Sequence, residues 1–284
     1  MVDRLESLLD RFPVTARLRA AGTGSNAPDG AAAGPQLHLI SGGAASVVHD
    51  NGEVLRIVEP SVLLYPRAQS HRVLMNAGQQ ALLLSAHLRF DGGDSNPLAD
   101  ALPPRLCMPL AELQGSDALL GMLFEEAHAR RCGRQALLDR LFEVVVIQML
   151  RMLMEKGQIQ VGLLAGMGHP RLRHALVAMH EEPAAGWSLQ ALAERAGMSR
   201  SAFAEGFRTV VGSTPGHYLQ AWRTRLVQQA LRRGHALKRI APEVGYASEA
   251  ALSRAFKAHT GQSPRQWKQN DMDLSGGKGH LVSS

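Results

Sequence analysis

Two short stretches in the last third of this 284-residue chain carry side chains able to read a polar surface by hydrogen bonding. One presents Arg200, Ser201, Ala204 and Glu205; the other presents Glu249, Ala250, Ser253 and Arg254. Arginine offers a two-pronged donor that fits a guanine edge, a carboxylate accepts from cytosine N4, and serine suits either role. Arg208, Lys257, Arg223 and Arg232, with Arg225 and Arg233, supply positive charge for phosphates. A second set lies earlier: His38, His49, Asp50, His71 and His87 are metal-ligating types, but no His-x-His pair occurs among them. No metal and no cofactor are expected. The two cysteines, Cys107 and Cys132, are candidates for redox sensing, and Arg130, Arg131 and Arg134 around Cys132 would lower its pKa. They form neither a disulfide scaffold nor a zinc-finger pair.

Charge separates the two sets. Residues 1–168 hold 15 basic and 17 acidic side chains and residues 169–284 hold 16 and 8, giving −2 and +8. A basic segment joined to a near-neutral one points to a polyanion partner. The 45% hydrophobic content excludes wholesale disorder, and no apolar run approaches the roughly 18 residues of a membrane span. The opening MVDRLESLLDR places acids inside its first apolar stretch, unlike a secretory signal. The expectation is a cytoplasmic, two-domain α+β protein with no membrane partner.

Met1–Arg19 reads as a short amphipathic helix through Leu5, Leu8, Leu9 and Phe12, its pattern ending at Pro13, and Ala21–Pro35 reads as a loop. From Leu37 to Phe90, short apolar stretches alternate with turn residues. Asp50-Asn51-Gly52 between Ala45–Val48 and Val54–Val58 marks a hairpin, because its turn needs positive φ. This texture predicts an antiparallel sandwich or small barrel. Asp117–Ala129 and Gln135–Glu155 repeat apolar residues at three- and four-residue steps and are predicted helices. Gly157–Gly168, with four glycines, is predicted to be a linker, and the remainder is helical up to a polar tail. The predicted domains are 1–160 and 170–268, with a linker at 161–169 and a disordered tail at 269–284.

The basic half repeats itself. SLQALAERAGMSRSAFAEGFRTVVGSTPGHYL starts at Ser188, and ALKRIAPEVGYASEAALSRAFKAHTGQSPRQWK starts at Ala236. Leu192 matches Ile240 and Gly197 matches Gly245; one residue later in register, Ser199 matches Ser248, Phe207 matches Phe256 and Pro215 matches Pro264. Each copy reads as a short helix ended by a left-handed glycine, then a serine that caps a second helix. Two helices across a tight glycine turn form a helix-turn-helix unit, whose second helix presents its first turn to the major groove. The recognition helices are placed near 199–211 and 248–259, with Thr214–Arg232 joining the units.

The segment from about Pro170 to Lys268, above all GYASEAALSRAFKAHTGQSPRQW and AGMSRSAFAEGFRTVVGSTPGHYL, resembles the DNA-binding domain of the AraC/XylS family of transcription regulators. GGAASVVHDNGEVLRIVEPSVLLYPRAQSHRV resembles, more loosely, the cupin-type barrel that precedes it in many members. The resemblance implies two recognition helices in successive major grooves of double-stranded DNA, a small-molecule effector in the first domain, a homodimer, and RNA polymerase as partner if the protein activates. It makes His38 and His71 candidate effector contacts inside the barrel. Glu205 departs from the family, which often has a long basic or polar residue there, and Arg200 is the better base reader in that copy. Catalytic cupins hold metal through two closely spaced histidines, a carboxylate and a third histidine, a pattern absent here, so no enzyme is expected. The alternatives are a cupin enzyme fused to a DNA-binding domain, and a non-specific architectural DNA binder.

Overall fold

The computed structural model describes residues 3–22, 34–42, 44–75, 82–113, 115, 117–129 and 131–276. They gather into two compact units: Arg11–Ile159, and the described residues of Met1–Asp10 with those of Gln160–Ser284.

The first unit holds β1 (Val14–Gly22), β2 (Gln36–Ile40), β3 (Ala45–His49), β4 (Val54–Ile57), β5 (Ser61–Tyr65), β6 (His71–Met75), β7 (Leu83–Phe90) and β8 (Leu106–Pro109). Their orders are β1-β7-β2-β5-β8 in one sheet and β4-β3-β6 in the other, and every pairing is antiparallel. Alternate residues of both sheets share one core: Ile40, Leu63, Tyr65 and Leu83 from the larger, Ala45, Val47, Ile57, Val73 and Met75 from the smaller. The expected hairpin joins β3 to β4, with Gly52 at φ +84° donating its N–H to the His49 carbonyl.

α1 (Glu6–Arg11) falls, as far as Asp10, in the second unit, whereas α2 (Pro97–Ala101), α3 (Asp117–His128) and α4 (Arg134–Lys156) accompany the strands. The helix expected over Met1–Arg19 is shorter than predicted. Asp3 Oδ1 accepts from the N–H groups of Leu5 and Glu6 at its start, and Pro13 keeps it from continuing past Arg11. Beyond Pro13 the period changes to two, with Ala16 and Leu18 buried and Thr15, Arg17 and Arg19 exposed, so the chain continues as β1. Of the expected loop, Ala21 and Gly22 end β1, and 23–33 lie outside the described residues.

Among the described residues β1 pairs only with β7 and is an edge strand, and an uncovered edge invites pairing with other chains. α4 covers it through side chains one turn apart: Leu18 N–H donates to Asp139 Oδ1 (2.7 Å) and Ala16 N–H to Glu143 Oε1 (3.2 Å). α4 buries Leu138, Phe142, Val145 and Met149, leaving Leu137 and Val144 exposed, as is Met122 of α3.

The second unit holds α5 (Leu163–Gly168), α6 (Leu172–Glu181), α7 (Leu189–Arg195), α8 (Arg200–Val211), α9 (Pro215–Arg232), α10 (Leu237–Glu243), α11 (Glu249–Thr260) and α12 (Pro264–Gly276). The predicted linker is therefore corrected. α5 occupies most of 161–169, with Leu163, Leu164 and Met167 buried and the helix packed on α6 and α8. Gly166 makes this possible, since a Cβ there would come within 2.5 Å of Leu176 Cδ1. The predicted tail is corrected too: α12 runs through 269–276, and 277–284 lie outside the described residues. No helix among the described residues is long and apolar enough to cross a membrane.

Candidate nucleic-acid interface

The two copies build the same turn from the same atoms. Gly197 and Gly245 take φ of +61° and +82°, and their N–H groups donate to the carbonyls of Glu194 and Pro242. Met198 N–H then reaches back to Ala193 (2.9 Å), as Tyr246 N–H does to Ala241 (2.8 Å). Ser199 Oγ caps α8 by accepting from Ala202 N–H (3.3 Å), and Ser248 Oγ caps α11 from Ala251 N–H (3.2 Å). The extra residue of copy two, Ala247, falls between glycine and cap, where it disturbs neither helix.

Behind each recognition helix stands the same buried frame. Phe203 and Phe207 point inward from α8, Leu252 and Phe256 from α11, all almost fully buried. Phe207 meets Tyr218 edge-on at 5.7 Å and Phe256 meets Trp267 edge-on at 6.1 Å. Such pairs contribute about 0.5–1.5 kcal/mol beyond burial. Tyr218 and Trp267 are themselves placed by matching starts, Thr214-Pro215 and Ser263-Pro264, in which the hydroxyl caps the helix and proline fills its first turn.

With the inside fixed, the outside is left for chemistry. Arg200, Ser201, Glu205 and Arg208 of α8 are exposed, as are Glu249, Ala250, Arg254 and Lys257 of α11; Ala204 and Ser253 are half-buried on the same faces. Among the described residues, no ion pair or side-chain hydrogen bond engages Arg200, Glu205, Arg208, Glu249, Arg254 or Lys257. Glu243, a possible partner for Arg254, is held by Arg239 instead (3.2 Å).

Two of the proposed phosphate ligands are occupied differently. Arg223 donates to the carbonyls of Pro183 (2.7 Å) and Ala185 (3.1 Å). Arg232 clasps Asp271 (Nη2 to Oδ1, 2.7 Å) and lies over Trp267, 4.9 Å from the ring centre. Sequence spacing put both on an accessible helix, but their acceptors come from segments 38–40 residues away.

The barrel gathers its polar side chains inside. Register sets His38 opposite Ser85 and His49 opposite His71, and alternation turns all four inward with Tyr65. His38 and His71, from different sheets, meet at Nε2···Nε2 2.8 Å. The partners fix the tautomers. His71 Nδ1 must donate to the Gln69 carbonyl (2.8 Å), so its Nε2 accepts from His38 Nε2–H, and His38 Nδ1 accepts from the Ser85 hydroxyl (2.8 Å). Beside them, His49 Nδ1 faces the Glu53 carbonyl (3.2 Å), and its Nε2 accepts from the Tyr65 hydroxyl (2.7 Å). Tyr65 stacks on His71 at 4.0 Å, and Arg105 pairs with Glu53 (2.8 Å) nearby.

Burial, then the charge of His71, pushes His38 down to about 3, and burial lowers His71 as well. Both imidazoles are therefore neutral near pH 7. The sequence indicated His38 and His71 but not Ser85, Tyr65 or Arg105 as their company; the period-two pattern of β2 and β7 was the available signal. Among the described residues, no cluster of three or more His, Cys, Asp or Glu could hold a metal.

Cys107 lies near Tyr65 and Arg105, but neither cysteine enters this hydrogen-bond network among the described residues. Burial pushes the Cys107 thiol up from its ordinary value, away from the reactive thiolate. Near exposed Cys132, Arg131 pairs with Glu126 (3.3 Å), Arg134 bonds the carbonyls of Glu126 and Ala127, and Arg130 lies outside the described residues. Arg131 and Arg134 are thus engaged at the end of α3.

Comparison with known proteins agrees with both halves. Residues 3–155 match the model of a Cupin family, and residues 192–270 match a Helix-turn-helix domain family. The chain is 32% identical to an AraC-like transcription regulator of Streptomyces lividans over 73% of this chain and 70% of that protein. It is 30% identical to the HTH-type transcriptional regulator AlkR of Acinetobacter baylyi, over 82% and 87% respectively. Among solved structures, fatty acid-bound ToxT of Vibrio cholerae covers 90% of this chain and 94% of its own at 14% identity, with a TM-score of 0.40. The chain belongs to the AraC/XylS family of DNA-binding transcription regulators, a cupin domain preceding a domain of two helix-turn-helix units.

Proposed function

We propose that this protein is a cytoplasmic regulator that reads one DNA sequence with both units, α8 and α11 entering successive major grooves, in response to a small effector held in the barrel. The observation that carries the reading is the pairing of equivalent buried frames with unlike, unengaged outer faces on α8 and α11. A purely architectural binder needs charge but has no use for two such faces. Arg200 and Arg254 read bases, with Ser201, Ala204, Glu205, Glu249, Ala250 and Ser253 lining the contact, and Arg208 and Lys257 hold phosphates.

In the barrel, the effector's polar end replaces one of the internal hydrogen bonds around His38 and His71. The exposed apolar side chains Met122 of α3 and Leu137 and Val144 of α4 support a homodimer, the chain is not an enzyme, and RNA polymerase is a partner if the protein activates. Selection of bound sequences from a random DNA pool, followed by competition against bulk DNA at fixed salt, tests the central claim. A recovered motif with two elements about one helical turn apart is expected; a pool without a motif leaves only architectural binding. Metal analysis of the purified protein tests the enzyme alternative, and sedimentation at tens of micromolar, where weak dimers form, tests the dimer.

A further inference from the structure

The Arg223 side chain touches both helix-turn-helix units. It leaves the middle of α9, and its guanidinium donates to the Pro183 and Ala185 carbonyls in the loop that enters α7 of the first unit. The same guanidinium lies over the ring of Tyr246, 5.7 Å from its centre, in the turn of the second unit. Around it the two units touch directly. A Cβ on Gly245 would fall 2.8 Å from the Ala184 carbonyl oxygen, 2.9 Å from Ala184 Cα and 2.9 Å from Arg223 Nη2. Tyr246 also donates its hydroxyl to Gln220 Oε1 (2.9 Å), one turn before Arg223 on α9.

The connecting helix sets the distance between the units and packs on α8, α10, α11 and α12, while Arg223 adds a bridge directly from one unit to the other. Copy two joins α9 through Arg233–Ala236, a link containing Gly234 at φ +84°, about which it could pivot. DNA tolerates little pivoting. A shift of one base pair moves an element by about 3.4 Å along the axis and roughly 35° around it.

We propose that Arg223 is a positioning residue that sets the separation and twist between α8 and α11, so that the chain reads its two DNA elements at one fixed spacing. The proposal rests on the reading that both helices enter DNA. The guanidinium suits the task because its rigid fork binds two carbonyls while its face stacks on an aromatic ring, which a lysine ammonium cannot reproduce.

The test uses the full chain and a selected site whose spacer is native, one base pair shorter or one base pair longer. The native chain should prefer its own spacer by tenfold or more, the scale on which one wrong base pair is penalised. Arg223→Ala should bring the three affinities within about threefold of each other, mainly by losing affinity on the native spacer, where charge-assisted bonds of this kind set the scale. Its salt slope should be unchanged. Arg223→Lys should broaden the profile partly, and Tyr246→Phe, which removes one hydroxyl, should do so least. If Arg223→Ala does not fold, as judged by circular dichroism, these two milder variants decide, and native profiles for both overturn the proposal. Equal loss on all three spacers with a salt slope smaller by about one would overturn it too, making Arg223 a phosphate contact. A native chain indifferent to spacing would instead refute the underlying two-helix reading.

Discussion

The two units of this chain put their polar chemistry on opposite sides of their frames. In the barrel, His38, His49, Tyr65, His71 and Ser85 point inward and satisfy one another. In the helical unit, Arg200, Glu205, Arg208, Glu249, Arg254 and Lys257 point outward, with no such engagement among the described residues. Physical cost explains the difference. A buried polar group must find an internal partner or forfeit the free energy of its hydration, so the barrel's groups form a closed network that a ligand has to open. An exposed group keeps its water until DNA arrives. The barrel is therefore expected to respond to protons and effectors, and the helical surface to salt and base sequence.

Salt should give the largest effect. Each neutralised phosphate contributes a slope of about −0.9, so neutralisation by the four outward cations Arg200, Arg208, Arg254 and Lys257 makes a rise from 50 to 200 mM salt cost roughly 150-fold in affinity. His38→Gln in the barrel should leave that slope unchanged. Titration of a labelled operator at several salt concentrations checks both; a flat response would remove the electrostatic role of the outward arginines.

Acid should act on the barrel instead. Folded His38 stays neutral down to about pH 3, whereas in the unfolded chain it titrates near 6.5. Between those values the unfolded state binds more protons, so the His38 contribution is complete above pH 6.5 and is lost as pH falls toward 3. The slope is at most about 1.4 kcal/mol per pH unit, or roughly 2–3 kcal/mol between pH 6.5 and 4.5. His38→Gln should flatten it. The three tryptophans, Trp187, Trp222 and Trp267, all lie in the helical unit, so their fluorescence reports on that unit while circular dichroism reports on both. A His38→Gln chain whose dichroism transition keeps the native pH slope would show that His38 is not the source.

Base reading should come next. Arg254→Ala should cost about 1–3 kcal/mol of discrimination at one base pair, the worth of a bidentate guanine contact. Arg200→Ala should do the same at the other element, unless Glu205 repels the phosphates beside it and reduces the contact. Equal losses on selected and scrambled DNA for Arg254→Ala would place that residue on the backbone.

Legibility in the sequence divides along the same line. The turn glycines, the serine caps and the inward phenylalanines of the helical unit depend on residues within a few positions of each other, and all lie where their spacing put them. The β3–β4 hairpin was legible for the same reason. The His38–His71 contact spans 33 residues and two sheets, and no local pattern encodes it. α5 was hidden because its glycines signal a loop locally, whereas Gly166 serves close packing against Leu176 and Val211. β1 is hidden because the helical period of residues 5–12 dominates the segment, and the alternation from Thr15 to Arg19 beyond Pro13 is too short to stand out beside it.

Arg232 should show the smallest effect, and it tests how far the outward face extends. Its position at the end of α9 suggests a phosphate ligand, yet its Nε lies 3.2 and 3.0 Å from the two carboxylate oxygens of Asp271 and its Nη2 lies 2.7 Å from one of them. Both side chains are about a quarter exposed (25% and 24%), so water screens the pair only in part. Releasing Arg232 to DNA would forfeit this pair and its stacking on Trp267. Arg232→Ala should therefore lower stability by about 1 kcal/mol, near the upper end for ion pairs open to solvent. It should leave DNA affinity within about twofold and the salt slope unchanged, since a lost phosphate contact would reduce that slope by about one. Asp271→Ala should lower stability similarly, because it removes the same pair from the other side. A smaller salt slope in Arg232→Ala with unaltered thermal unfolding would mean that Arg232 abandons Asp271 for phosphate, and the end of α9 would then belong to the DNA-binding face.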